Sequence, residues 1–390
     1  MHKSYDVVVV GGGPAGSAAA YTLAKAGIEV CLIDKSVFPR DKLCGGLLTL
    51  RSKKVFEEVF QAGWDKAHEY SAKGVRLFHK KQLLNSVENY SQFYFTRRYH
   101  FDDYLLTLAK KAGVDCKEGA SITEINIEGK TCRLRSGEDI AYRYLIGADG
   151  VNSIVAKSIF GSSFNKKTIG FALETELDRS SVGTSSHLDL PEVYFGLVQW
   201  GYGWVFPKEN TLTVGLGGLH SRNAHMKKGF QQFISDRFGD VAMGAIKGHY
   251  IPCGDYRRNP GVEDVLLVGD AAGLVEPITG EGIAFAMQSG HLAASAIIDT
   301  TTGHARPNPY VIYKETFAQI SSILNYASVL SHLIFPKVSQ RLFVKVLPKT
   351  KNLTHMHMDL MADELDYPQY AKKLISRVPR GIVRQIMAKR

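Results

Sequence analysis

Apolar residues along this chain follow two rhythms. In the first, short unbroken apolar runs end in glycine: "YDVVVVGGG" from Tyr5, "YLIGADG" from Tyr144 and "DVLLVGDAAG" from Asp264. A continuous β-branched run of this kind predicts a strand buried on both faces, as in a parallel sheet. After the first run come a helix from about Pro14 to Lys25, a stop at Gly27, and a second strand, "IEVCLID". In the second rhythm, from about Thr168 to Tyr250, polar and apolar residues alternate in "FALETEL", "EVYFGLVQW", "GYGWVFP" and "LTVGLGG", which predicts a mostly antiparallel sheet. Between the two, "FDDYLLTLAKKAG" reads as an amphipathic helix closed by Gly113, and "ITEINIEGKTCRLRSG" as a hairpin turning near Gly129. From Pro307 onward the pattern is helical, interrupted at Pro336, Pro348, Pro368 and Pro379.

The chain's 390 residues allow two or three domains around a large core, and 45% hydrophobic content is that of a globular protein. No apolar run is long enough to span a bilayer, and the N-terminus enters a strand at once, leaving no room for a signal peptide. Five cysteines without a CxxC pair argue against a disulfide framework and a zinc site, and fit a reducing, cytoplasmic setting. His355 and His357 lack a ligand partner in phase, so no metal is expected, and a histidine so near the chain end is expected to be exposed. The net charge of +10 is concentrated: Lys337 to Arg390 holds twelve Lys/Arg against four acids. Such a tail suits an anionic membrane surface or a solvated helical face, and "VSQRLFVKVLPK" from Val338 has the two-faced pattern of an interfacial helix. No motif supports nucleic-acid binding.

Gly11-x-Gly13-x-x-Gly16 lies between a strand and a helix, and Asp34 closes the second strand at the spacing of a dinucleotide fingerprint. Glycines there let backbone approach a pyrophosphate, the helix start offers free N–H groups, and the acid accepts from ribose hydroxyls. NAD and FAD both satisfy this pattern. Two later segments repeat the strand–acid–glycine–helix layout: Asp149-Gly150 with Ser153, and Gly269-Asp270 followed by Pro277, Gly280, Glu281 and Gly282. Read singly, Asp149 and Asp270 could be helix N-caps.

In combination, the three segments resemble FAD-dependent oxidoreductases of the para-hydroxybenzoate hydroxylase type. The fold this implies is α/β: a Rossmann-type FAD-binding domain with an inserted, mostly antiparallel substrate sheet and a C-terminal helical region. Its expected division is 1–75, 98–165 and 255–305 for FAD, 76–97 and 166–254 for substrate, and 306–390 for the helices. Two further phrases, "DKLCGG" at Asp41–Gly46 and "GYGWVFPK" at Gly201–Lys208, resemble the geranylgeranyl reductase family, which saturates isoprenoid double bonds with reduced FAD.

The resemblance implies cofactor contacts at Gly11, Gly13, Pro14, Ala15, Gly16, Asp34, Lys35, Cys44, Gly45, Gly46, Arg98, Asp149, Asp270, Gly280, Gly282 and Ile283. It implies substrate contacts at Tyr202, Trp204 and Phe206, with Cys44, Tyr202 and Trp204 the catalytic candidates. Cys44 could donate a proton or only shape the pocket. The implied substrate is a hydrophobic prenyl compound, and the electron donor is either NADPH or a ferredoxin-like carrier. Rival readings share the fold: a flavin monooxygenase or halogenase, and a non-catalytic flavoprotein binding a lipid or partner through the basic tail. Halogenases carry Trp-x-Trp-x-Ile-Pro where this chain has Tyr202, Trp204, Phe206 and Pro207.

Overall fold

A computed structural model describes residues 3–182, 188–303, 308–336, 340, 344 and 351–375. Two eight-stranded sheets dominate it. In the first, the strand Lys3–Val10 lies between parallel neighbours Val30–Ile33 and Asp139–Gly147, so Val7, Val8 and Val9 have no exposed surface. Val265–Leu267 and Asp115–Lys117 extend this parallel core on either side, and the hairpin Ile122–Asn126 with Thr131–Leu134 is appended to it.

Helix α1 (Pro14–Lys25) packs against a long later helix, α6 (Ile283–Thr302), through small residues. A Cβ on Gly290 would come 2.1 Å from the Ala15 carbonyl oxygen, which explains a glycine in mid-helix. The remaining helices are α2 (Leu50–Phe60), α3 (Arg98–Lys111), α4 (Ile154–Phe160), α5 (Met226–Phe238) and α7 (Pro309–Ile334), followed by Lys351–Met361 and Tyr367–Ile375.

The second sheet runs Lys247–Ile251, Gly170–Asp178, Thr211–Leu219, Gly201–Pro207, Glu192–Phe195, Tyr70–His79, Gln82–Phe95, Leu47–Leu48. Its pairs are antiparallel except Glu192–Phe195 against Tyr70–His79. The stretch after Gly46 supplies α2 and the Tyr70–Phe95 hairpin, so a division at residue 75/76 falls inside a strand. The helix Lys351–Met361 packs against the Gln82–Phe95 strand, and the last two described helices share a buried cluster with Leu84, Ile278, Ala327 and Leu330. The basic segment from Val338 to Lys349 lies, apart from Gln340 and Val344, outside the described residues. Among the described residues no helix is long and apolar enough to cross a membrane.

Candidate active site

One cavity of about 960 Å³ runs between the sheets, from the glycine turn after the first strand to the C-terminal helices. Each glycine of the fingerprint has its own reason. Gly11 has φ +104°, and a Cβ there would sit 2.4 Å from the Ala148 carbonyl oxygen; on Gly16 it would sit 1.8 Å from that of Gly11. Gly13 instead faces the cavity, where the nearest atoms to an added Cβ are the Arg40 and Arg98 guanidinium nitrogens. It caps α1 without any side-chain hydrogen bond, leaving the helix's first N–H groups to the cavity. Pro14 and Ala15 continue this wall. The Asp34 carboxylate accepts from the N–H groups of Gly12 at 2.7 Å and Ser36 at 2.8 Å, and Lys35 beside it is exposed.

Further in, Arg98 starts α3 as a buried residue, its guanidinium clamped to Asp102 at 2.5 and 2.7 Å. Asp102 also meets Arg40 at 3.0 Å. Asp270 faces Lys42 at 3.3 Å. Burial opposes its ionisation, but the Lys42 and Arg98 cations outweigh that and hold the carboxyl below its ordinary range. Asp149 lines the cavity, yet its carboxylate is spent on α4, accepting from Ser153 Oγ at 2.5 Å and the Ile154 N–H at 2.6 Å. The N-cap of that helix is Ser153, whose Oγ accepts the Ala156 N–H, and Asp149 braces it from one turn earlier. Gly282 caps α6 without a side-chain bond, and Ile283 is that helix's first residue.

The turn Cys44–Gly45–Gly46 lies directly on the Gly201–Lys208 phrase. A Cβ on Gly45 would meet the Phe206 ring at 2.9 Å and Trp204 Nε1 at 3.1 Å. Gly46, with φ +72°, admits no Cβ because the Thr96 carbonyl oxygen would be 1.9 Å away. Two glycines follow Cys44 because the first is pressed against an aromatic strand and the second against backbone. The Gly46 N–H donates to Cys44 Sγ at 3.4 Å, and the Cys44 N–H to Glu174 Oε1 at 3.3 Å. Lys208, 2% exposed, runs beneath the turn and pairs with Glu176 at 3.2 Å. The Tyr202 hydroxyl donates to the Thr279 carbonyl and so fixes the loop leading to α6, where Gly280 has φ +72°.

Sequence reasoning missed the cavity's far wall. Leu353, Thr354, His357, Met358, Met361 and Tyr370 line it from the last two helices. His357, expected to be exposed, faces the cavity interior with Nδ1 3.3 Å from the Tyr370 hydroxyl, and burial lowers its pKa to about 4. His355 stacks on Tyr90 instead. Arg51 and Glu174 were missed too; only the amphipathic repeat of the "HMHM" segment could have hinted that it packs.

These residues fit FAD. Two uncapped helix starts face one cavity, glycine backbone borders it, and the buried indole Nε1–H of Trp204 has no partner among the described residues. An FAD binding domain family model matches residues 4–181. A menaquinone reductase from Mycobacterium tuberculosis is 31% identical, covering 76% of this chain and 77% of its own. A digeranylgeranylglycerophospholipid reductase from Methanocaldococcus jannaschii is 28% identical over 97% of both chains. The crystal structure of a geranylgeranyl bacteriochlorophyll reductase-like protein from Thermoplasma acidophilum superposes with a TM-score of 0.79 at 25% identity, covering 97% of this chain and 100% of that one. With a relative 31% identical over three quarters of the chain and a solved structure that matches 97% of it, the chain belongs to the geranylgeranyl reductase family of FAD-dependent oxidoreductases.

Proposed function

We propose that this enzyme reduces carbon–carbon double bonds in the prenyl chain of a hydrophobic substrate. The observation that carries the reading is the seating of the Cys44–Gly45–Gly46 turn on Trp204 and Phe206, where the glycine-lined arm of the cavity meets an apolar one. Val75, Leu77, Phe93, Val193, Phe195 and Met358 line the apolar arm, a surface suited to a long hydrocarbon. The similar proteins named for menaquinone and digeranylgeranylglycerophospholipid reduction support a prenyl-bearing substrate.

Gly11 to Gly16 and the start of α1 would hold the pyrophosphate of FAD, and Asp34 a ribose. Asp270 would hold a ribityl hydroxyl, Arg98 would lie against the cofactor, and Gly280, Gly282 and Ile283 would place the start of α6 near the flavin ring. Reduced FAD, when bound, supplies hydride. The protein's own task is to keep water away, align the alkene and deliver a proton to the carbon that hydride does not reach. Trp204 and Phe206 present ring faces to the chain. Tyr202, whose hydroxyl is already donated to Thr279, orients the loop and contributes its ring.

Cys44 is the proton donor in this reading, and the Gly46 N–H aimed at its sulfur supports the thiolate left behind. The division into cofactor, substrate and C-terminal helical regions belongs to the same proposal, as do a cytoplasmic location, peripheral membrane contact through the basic tail, and reduction by NADPH or a ferredoxin-like carrier.

The test is anaerobic. Enzyme reduced with dithionite is mixed with geranylgeranyl compounds while the flavin band and the lipid mass are followed. Reoxidation with a two-dalton gain per reduced bond supports the proposal. Reduced flavin that persists with every prenyl compound, and gives an oxygenated product only in air, replaces it with a monooxygenase.

A further inference from the structure

Glu174 is a buried acid beneath the thiol turn that the reaction as described does not use. It lies in the Gly170–Asp178 strand, opposite Lys247 on one neighbour and Gly215 on the other, and is 8% exposed. One oxygen accepts the Cys44 N–H. The other, Oε2, is buried and has no hydrogen-bond partner among the described residues. An unpaired carboxylate oxygen out of water is costly unless the group carries a proton.

We propose that Glu174 is a proton-holding residue that returns a proton to the Cys44 thiolate after each reduction. The inference rests on the reading of Cys44 as proton donor. The step balances without a redox partner: the Glu174 O–H bond breaks, the Cys44 S–H bond forms, and the carboxylate regains its proton from water.

The surroundings suit the role. Burial pushes the Glu174 carboxyl up to about 7 and the Glu176 carboxylate adds to this, while Lys208, the Cys44 N–H and Lys247 hold it back. Each neighbouring cation has a partner of its own: Lys208 pairs with Glu176, which also accepts from Thr211 and Thr213, and Lys247 pairs with Asp41 at 2.6 Å. His249, opposite Ala172 on the Lys247 strand, lines the cavity and is kept neutral chiefly by burial. Glu174 is therefore an acid against the Cys44 backbone that can hold a proton near neutral pH.

Glu174→Gln keeps the shape and removes the proton. Prereduced Glu174→Gln enzyme given geranylgeranyl diphosphate should reoxidise its flavin in the first turnover within about threefold of wild type. Its steady-state kcat should fall at least tenfold, with the decline above pH 7 abolished. Infrared difference spectra of wild type should show a protonated-carboxyl band that titrates near pH 7 and is missing from Glu174→Gln. That measurement needs neither substrate nor turnover, only a folded variant. The proposal is overturned if no such band titrates near neutrality, or if Glu174→Gln keeps the wild-type kcat and pH profile while Cys44→Ser has lost turnover. Full turnover in Cys44→Ser would instead remove the donor reading, whatever the band does.

Discussion

Arg51 and Glu281 meet at 2.6 Å with side chains 6% and 7% exposed, joining the start of α2 to the loop that delivers α6 to the cavity. The same guanidinium bonds the Leu360 carbonyl at 2.9 Å and reaches Asp363 at 3.3 Å, so the end of the helix Lys351–Met361 is held at that point as well. Glu281 also accepts from Thr49 at 2.5 Å. Arg51→Ala would strand a buried carboxylate, and such losses cost about 3–5 kcal/mol. The expected outcome in urea unfolding is a drop of that order, with weaker FAD retention because the α6 loop loses its anchor. Arg51→Lys, which keeps the charge but not the fork, should recover only part of it.

The two glycines after Cys44 should respond differently to alanine. At Gly46 the added carbon meets backbone and the φ of +72° is one that side chains resist, so Gly46→Ala should lose more than about 2 kcal/mol and retain little FAD. At Gly45 the obstruction is the Phe206 ring and Trp204 Nε1, side-chain atoms that can yield by tenths of an ångström. Gly45→Ala should fold and bind FAD while raising KM for the prenyl substrate. Equal loss of stability in both variants would show that the turn does not distinguish backbone from side-chain crowding.

What was legible in the sequence was what local backbone chemistry demands. Gly11, Gly16 and Gly46 are glycines because any Cβ would strike a carbonyl oxygen, and such positions recur at fixed spacings. The strands between Thr168 and Tyr250 declared themselves through short alternating runs bounded by Gly, Pro and Asn, although Gly201–Pro207 and Thr211–Leu219 are buried on both faces. Glu174, Arg51 and His357 could not be read that way. Each becomes notable only where distant segments meet: Glu174 under Cys44, 130 positions earlier, and Arg51 against Leu360, 309 positions later. His357 looked like a tail-end polar residue because nothing local says that its helix closes a cavity. Asp149 shows the converse, since a motif position can line the cavity while its carboxylate serves a helix start.

Asp270 and Lys42 supply a test of the flavin end. With Lys42 at 3.3 Å and Arg98 nearby, the Asp270 carboxylate stays charged at neutral pH and available to accept from a hydroxyl. Hydrogen bonds to charged groups are worth about 1.5–3 kcal/mol, so Asp270→Ala should weaken FAD binding by roughly ten- to a hundredfold. Fluorescence of flavin released on dilution measures this. Full occupancy in the variant would remove Asp270 from the cofactor site.

Glu174 and His357 make opposite contributions to stability against pH. The Glu174 carboxyl rises from 4.5 to about 7 on folding, so between those values the native state binds one more proton than the unfolded chain. Its stabilisation is present below pH 4.5 and is lost as pH rises toward 7. The His357 imidazole falls from 6.5 to about 4, so over that range the unfolded chain binds one more. Its stabilisation is present above pH 6.5 and is lost as pH falls toward 4. Each slope is about 1.4 kcal/mol per pH unit, and between pH 4.5 and 6.5 the two cancel. Glu174→Gln should therefore unmask a stability that climbs with pH from 4 to 6.5. His357→Gln should unmask one that declines from 4.5 to 7. Urea midpoints across this range decide the matter: parallel profiles in wild type and both variants would mean that neither group titrates differently in the folded and unfolded protein.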